Sequence, residues 1–223
     1  MSEDLFKELI DIYSLENDVY LKTKESFNIL HKAAESFEKS FKHYHSENKI
    51  HISLAKHGTN EFELTVGSDM IIFVLHTNVF EFSRNHEIMK TPYMRENKDR
   101  AQCGQILIYN FIADSISLRR GLDVGYMIGR IMINNEGHYF VEGKKEIGML
   151  LNKFATDAFD ENAADNILKS AIEYVMHFAP LVPDYSLIQE LTVEQFIQIR
   201  DFMQIRTSKR MGFTFNRDNG GES

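Results

Sequence analysis

The chain has few of the residues that mark several protein classes. Its 223 residues include one cysteine, Cys103, three prolines and no tryptophan. A single cysteine cannot form an intramolecular disulfide, and structural disulfides are typical of oxidising compartments. Three prolines and 12 glycines argue against a long linker or a low-complexity segment. The composition therefore predicts a folded protein in a reducing, cytoplasmic environment.

Long apolar runs and excess positive charge are also missing. No apolar stretch approaches the ~20 residues that a membrane-spanning helix needs. The N-terminal segment MSEDLFKELIDIY is acidic and amphipathic, unlike a signal peptide. The net charge is −8, and phosphate groups are bound through positive charge. We therefore expect no membrane span, and nucleic acid is disfavoured as a partner.

Motifs that announce a reaction are absent from the sequence. It contains no G-x-S-x-G, H-E-x-x-H or C-x-x-C pattern. Four histidines lie close together at positions 43, 45, 51 and 57. His43 and His45 are two residues apart, so they do not face one another on a helix. We predict no metal site and no cofactor, and the question of enzymatic activity stays open.

The spacing of apolar side chains divides the chain into a helical, a strand-rich and a second helical part. A repeat of three to four residues over 3–46 predicts two helices, with a break at 14–18. Alternation over 50–142 predicts about six strands, and their short connections require antiparallel pairing. The helical repeat returns over 144–206. We predict a single α+β domain over 1–206, in which helices from both ends cover an antiparallel sheet.

The C-terminal helical part is predicted in three pieces. One apolar face runs from Ile147 to Ala158, and a second runs from Ile167 to Met176 and ends before Pro180. A capping box over 192–195 opens a third helix. Residues 207–223 are predicted to form a flexible tail.

The second N-terminal helix carries a narrow apolar stripe. From Phe27 to Tyr44, apolar residues recur at alternating steps of three and four. Such a stripe serves either to cover a sheet or to pair with another helix. We expect it to cover the sheet, and a homodimer through helix 17–46 is the alternative.

The stretch NNEGHYFVEGKKEIG, residues 134–148, resembles a phosphate-binding loop only superficially. Five residues separate Gly137 from Gly143, where the motif requires four, and Lys145 takes the place of the required hydroxyl. The residues between the glycines favour a strand. We interpret the stretch as a hairpin turn, a strand and the start of a helix.

The spacing Glu142-x-Lys144 gives an alternative function. Metal-dependent hydrolysis of phosphodiesters uses converging carboxylates and a cation near the attacking water. Asp123 opens the strand before Glu142, so a hairpin could bring the two carboxylates to one end of the sheet. The same spacing also occurs at 47–49 and 96–98, which weakens the argument. A nuclease that uses Asp123, Glu142 and Lys144 remains the second hypothesis.

Polar residues within apolar strands are the preferred ligand-binding candidates. They are Arg130, His76 and Asn110. Arg130 alternates with Ile128 and Met132, which leaves two arrangements: the side chain points inward among apolar neighbours, or it is an outward-facing or ion-paired arginine. A buried guanidinium needs a partner. Glu81 or Asp114 could supply it, and a bound ligand is the functional alternative.

The segment between two predicted strands, residues 84–100, is long enough to have a function. It carries five Lys or Arg residues against three Asp or Glu residues. Arg84 and Arg95 belong to it, and Arg119 and Arg120 would join the same patch if both connections lay at one end of the sheet. We predict a module without catalytic activity that binds a protein partner or a small ligand.

Overall fold

The computed structural model describes residues 3–45, 49–121, 123–149, 154–178 and 193. The helices are α1 (Glu3–Tyr44), α2 (Pro92–Glu96), α3 (Ala113–Ser117) and α4 (Glu161–Met176). The strands are β1 (Ile52–His57), β2 (Glu61–Val66), β3 (Asp69–Leu75), β4 (Phe80–Glu81), β5 (Gln102–Ile112), β6 (Tyr126–Asn134) and β7 (Tyr139–Gly143). Short 3₁₀ helices lie at Glu87–Lys90, Lys98–Ala101 and Ile147–Met149.

One antiparallel sheet organises the described part of the chain. Its strand order is β1-β2-β3-β5-β6-β7, and the two-residue strand β4 also pairs with β5. Every pairing is antiparallel. The predicted α+β fold, an antiparallel sheet that is covered by N- and C-terminal helices, is confirmed.

The main core lies between one face of the sheet and helices α1 and α4. Phe27, Leu30 and Ala34 of α1 are fully buried against it. The sheet and α4 contribute the other fully or nearly fully buried side chains, among them Phe62, Phe73, Ile106, Ile131, Ile167 and Ala171. Phe37 and Phe41 pack at the margin. The apolar stripe of α1 therefore covers the protein's own sheet, although Tyr44, its last member, is 88% exposed.

Helix α1 is continuous, and the predicted break at 14–18 is wrong. This segment contains neither proline nor glycine, so nothing in it stops the helical hydrogen bonds. What changes there is burial: residues 3–14 are all exposed, and the first buried side chain is Val19. The sequence signal at 14–18 marks the point at which the helix reaches the sheet.

Helix α1 approaches the sheet closely at Gly104 of β5. A Cβ atom placed on Gly104 would lie 2.1 Å from Oγ1 of Thr23. Thr23 is fully buried, and its hydroxyl donates to the carbonyl of Val19 at 2.7 Å. Gly104 is therefore the residue that lets the helix backbone pack this closely.

Within the described ranges, the opposite face of the sheet is covered only at one end. The segment between β4 and β5, residues 82–101, folds back and forms a second hydrophobic cluster there. Its buried members are Ile88, Tyr93, Met94, Ala101, Cys103, Met132 and Phe154. We call residues 82–101 the insertion.

The sequence-based helix at 147–158 is only partly correct. Ile147–Met149 forms a 3₁₀ helix, but Ala158 pairs with His138 in an isolated β-bridge. Helix α4 confirms the predicted face at 167–176, and Asp160 caps it by accepting from the N–H of Ala163 at 2.8 Å. Apart from Val193, the predictions for 180–223 lie outside the described residues. No helix in the described ranges combines the length and the apolar character that crossing a bilayer needs.

Candidate functional site

A cavity of about 180 Å³ opens beside Arg130, where the insertion leaves the sheet. Strand β4 and the start of the insertion form one wall, and β5 and β6 form the other. The lining residues are Phe80, Glu81, Phe82, Ser83, His86, Cys103, Gln105, Arg130 and Met132. We call this cavity the Arg130 pocket.

Three charged or ionisable side chains meet at the rim of the pocket. Nε of Arg130 donates to Oε2 of Glu142 at 2.6 Å, and Nη2 contacts the same oxygen. Nε2 of His86 lies 3.3 Å from Oε1 of Glu142. Glu142 therefore bridges the sheet and the insertion. Within the described residues, Nη1 of Arg130 has no hydrogen-bond partner, and the side chain is 40% exposed.

Strand register explains why Arg130 meets Glu142. The two residues are directly paired across β6 and β7, and opposite charges at paired positions attract on one sheet face. Ile131 belongs to the main core, so its neighbour Arg130 points to the other face. Of the two arrangements that the sequence allows, Arg130 has the outward-facing, ion-paired one, and its partner is Glu142 rather than Glu81 or Asp114.

A second polar cluster fixes the far end of the insertion to the β6–β7 hairpin. The hydroxyl of Tyr93 donates to Oε2 of Glu136 at 2.9 Å, lies 2.8 Å from Nδ1 of His138, and accepts from the amide of Asn134 at 2.8 Å. The guanidinium of Arg100 stacks 4.0 Å above the Tyr93 ring and binds Glu136 at 2.8 Å. These contacts hold the insertion over the sheet, so they define one wall of the pocket.

Burial is the main influence on titration in this region. It raises the pKa of the Tyr93 hydroxyl to about 12, and it raises the pKa of the Cys103 thiol far above its ordinary range. Both groups therefore stay protonated at neutral pH. A protonated, buried thiol is a poor nucleophile, so Cys103 contributes apolar surface to the pocket rather than reactivity.

His76 and Asn110, the other candidates in the strands, do not join Arg130. The ring of His76 stacks edge-on against Phe80 at 4.8 Å, and its Nδ1 accepts from the N–H of Asn78 at 3.0 Å. His76 thus supports a residue of the pocket wall. Asn110 is 1% exposed on the core face, and its Oδ1 has no hydrogen-bond partner among the residues that the structure describes.

The arginine candidates do not form one patch. Arg84 and Arg95 are exposed in the insertion, which precedes β5. Arg119 and Arg120 follow β5, in the connection to β6. An 11-residue strand, roughly 33 Å long, separates the two regions. The condition under which Arg119 and Arg120 would join the patch, with both connections at one end of the sheet, is therefore not met.

Asp123, Glu142 and Lys144 do not converge on a common point. Asp123 accepts from the hydroxyl of Ser115 at 2.6 Å, within the connection before β6. Glu142 pairs with Arg130, and the part of β6 between Tyr126 and Arg130 alone spans about 13 Å. The geometry gives the nuclease hypothesis no support. Across the ranges that the structure describes, no group of three or more His, Cys, Asp or Glu side chains is placed to hold a metal ion.

Sequence reasoning singled out Arg130 and Glu142 but missed their partners in the insertion. His86 is one of nine histidines, and no pattern ties it to a residue 56 positions away. Tyr93, Arg100 and Glu136 were missed for the same reason. Searches of protein-family models, of curated proteins and of solved structures each found no match to this chain.

Proposed function

We propose that the protein is a cytoplasmic module without catalytic activity that binds a small, uncharged ligand in the Arg130 pocket. The observation that carries the proposal is the state of the Arg130 guanidinium. It is fixed in place by Glu142 and lines the pocket, yet its Nη1 has no partner among the described residues. A hydrogen-bond donor that is already fixed loses little conformational freedom when a ligand binds, which favours binding.

Charge balance selects an uncharged acceptor rather than an anion. Glu142 neutralises Arg130, and Glu81 adds a further negative charge to the lining. A carboxylate enclosed in the pocket would lie among lining groups that include Glu81, which would repel it. A carbonyl or amide oxygen can accept from Arg130 without that repulsion.

The apolar lining and the size of the pocket limit the rest of the ligand. Phe80, Phe82 and Met132 supply its apolar surface. A volume of about 180 Å³ suits a single ring, since a cavity of about 150 Å³ can hold benzene. Gln105 and Ser83 offer additional hydrogen-bonding groups beside this surface. The preferred ligand class is therefore a one-ring molecule that carries a carbonyl group.

The groups at the site favour binding over catalysis. Glu142 is occupied by Arg130 and His86, and burial keeps the Cys103 thiol protonated because it raises the pKa of that group. The single cysteine, which is buried and cannot form an intramolecular disulfide, also supports a cytoplasmic location.

Benzamide and benzoate form a matched pair of probes for the pocket. They share a ring and a carbonyl but differ in charge. We expect benzamide to shift the backbone amide resonances of residues 80–83, 103–105 and 130–132 in the ¹⁵N-labelled protein. Benzoate should bind at least about tenfold more weakly, a difference of about 1.4 kcal/mol.

Two variants complete the test. Arg130→Met should abolish the benzamide shifts, whereas Arg95→Met, which removes an exposed arginine of the insertion, should leave them unchanged. Shifts that appear elsewhere in the protein, stronger binding of benzoate, or full binding by Arg130→Met would contradict the proposal.

A further inference from the structure

Beyond the insertion, the second face of the sheet is apolar and belongs to neither hydrophobic cluster. Ile72 and Val74 of β3, and Leu107 and Tyr109 of β5, point to this face and are half-buried. None of the four is a member of the main core or of the cluster under the insertion. Four adjacent apolar side chains without a packing partner in the described part of the chain mark an interaction surface.

Strand register places two opposite charges at the ends of this surface. Glu61, Val74, Leu107 and Arg130 are paired in succession across β2, β3, β5 and β6, so they form one straight row. Among the described residues, the Glu61 carboxylate has no hydrogen bond or ion pair, and Nη1 of Arg130 has no partner beyond the contacts of that guanidinium with Glu142. The central part of the row therefore reads negative, apolar, apolar, positive, and His57 and Glu142 continue it beyond the two charges.

Such a row is complementary to itself. A two-fold axis that runs along the strands, midway between β3 and β5, exchanges β2 with β6 and β3 with β5 in a facing copy. It places Glu61 of the second copy opposite Arg130, and Val74 of the second copy opposite Leu107. This is the pattern that an isologous dimer interface requires, whereas an unrelated partner would need an independent match to it.

The dimensions of packed sheets allow these contacts. Facing sheets lie about 10 Å apart, and neighbouring strands lie about 4.8 Å apart. Glu61 and Arg130 are therefore each about 7 Å from the axis. The usual 30° rotation between packed sheets displaces them by about 4 Å, which the long side chains can span.

We propose that a second copy of this chain packs on the open sheet face, through Ile72, Val74, Leu107 and Tyr109, with two symmetric Glu61–Arg130 ion pairs. This arrangement replaces the dimer through helix 17–46, because the stripe of that helix is used by the protein's own core. Glu63 does not add a pair, because its row runs through Ile72 and Tyr109 to Met127, so the two-fold axis places Glu63 opposite an uncharged residue. The proposal does not rest on ligand binding, although the dimer would bring Glu61 of the second copy to the rim of the Arg130 pocket.

Analytical ultracentrifugation with exchanged charges tests the interface. We expect the molar mass of the wild type from sedimentation to be about twice the 26.0 kDa of one chain. Glu61→Arg and Arg130→Glu should each weaken self-association at least about tenfold. An equimolar mixture of the two variants should recover the dimer, because the new arginine at position 61 then faces the new glutamate at position 130. Glu16→Arg, the same charge change on the exposed end of α1, should have no effect.

Leu107→Lys tests the interface independently if Arg130→Glu fails to fold, which circular dichroism would show. The Leu107→Lys protein should also be monomeric, because the substitution places a charge at the centre of the apolar surface. A wild type that is monomeric at every concentration, or a Leu107→Lys protein that remains dimeric, would overturn the proposal. Dissociation by Ile10→Asp but not by Leu107→Lys would overturn it in favour of the exposed end of α1.

Discussion

The carboxylate of Glu38 in α1 accepts a hydrogen bond from the backbone N–H of Leu54 in β1 at 3.1 Å. Strand β1 is at the edge of the sheet, and edge strands expose unpaired N–H and C=O groups that can recruit another chain. Glu38 also binds Lys42 at 2.7 Å. A charged side chain of the covering helix thus closes part of the open edge.

The contribution of Glu38 should depend on pH. The bond with Lys42 and the bond from Leu54 lower the pKa of this carboxyl below its ordinary value. A lowered pKa stabilises the folded state above the carboxyl's unfolded pKa, and this stabilisation is lost as the pH falls through the folded pKa. We expect Glu38→Ala to lower the free energy of unfolding by about 1.5 kcal/mol at neutral pH. Urea unfolding of both proteins should show the difference shrinking in acid. A difference that is constant down to pH 2 would contradict the assignment.

Gly104 should not tolerate a side chain. In Gly104→Ala, the new Cβ would overlap Oγ1 of Thr23 at 2.1 Å, so helix α1 would have to move away from β5. We expect a loss of about 1–3 kcal/mol, the range for overpacked cores, measured by thermal or urea unfolding. Gly121→Ala is the matched control because a Cβ there meets no atom within 4 Å. Equal stabilities of the two variants would mean that α1 does not approach β5 this closely.

Tyr93 should determine how firmly the insertion is held. Tyr93→Phe removes the hydroxyl that contacts Glu136, His138 and Asn134. Buried polar partners left unsatisfied cost about 1–3 kcal/mol. We expect faster hydrogen exchange for amides of residues 88–101 than for those of β3 and β5. Tyr13→Phe, at a position that is 62% exposed, should change the exchange rates neither of residues 88–101 nor of β3 and β5. Uniformly faster exchange across the sheet would instead indicate a global loss of stability.

Cys103 should react with thiol reagents only after unfolding. It is 1% exposed, and burial raises the pKa of its thiol, so little of the reactive thiolate is accessible in the native protein. We expect no reaction with Ellman's reagent in buffer and one thiol per chain in denaturant, the chain having a single cysteine. Rapid stoichiometric labelling of the native protein would show that the pocket opens to the cysteine.

The fold could be predicted from the spacing of apolar residues, because that spacing follows which side chains are buried locally. Alternation along residues 62–66 follows from side chains that face either the helices or solvent, and the continuous apolar run over 70–75 is typical of a central strand; strands lie in both places. The same logic failed at 14–18 and at 154–158. At 14–18, exposed residues interrupt the apolar pattern as they would at the end of a helix, although no helix breaker is present. At 154–158, Ala158 pairs with His138 in a β-bridge, which local spacing does not encode.

The site was only half visible in the sequence because its geometry depends on long-range pairing. Arg130 and Glu142 could be selected as polar residues in or beside apolar strands, but their pairing follows from the register of β6 and β7. His86 reaches Glu142 only because the insertion folds back over the sheet. The length and charge of the insertion indicated that it could have a function, but neither indicated that it folds back over the sheet.

The placement of the two long connections at opposite ends of β5 has a practical consequence. A fluorophore or an affinity handle attached near Arg119, an exposed position with φ of 51°, would sit roughly 33 Å along the strand direction from the insertion. Immobilisation or labelling there leaves the entrance of the Arg130 pocket unobstructed, so biosensor surfaces and single-molecule probes for this protein can be designed from that end.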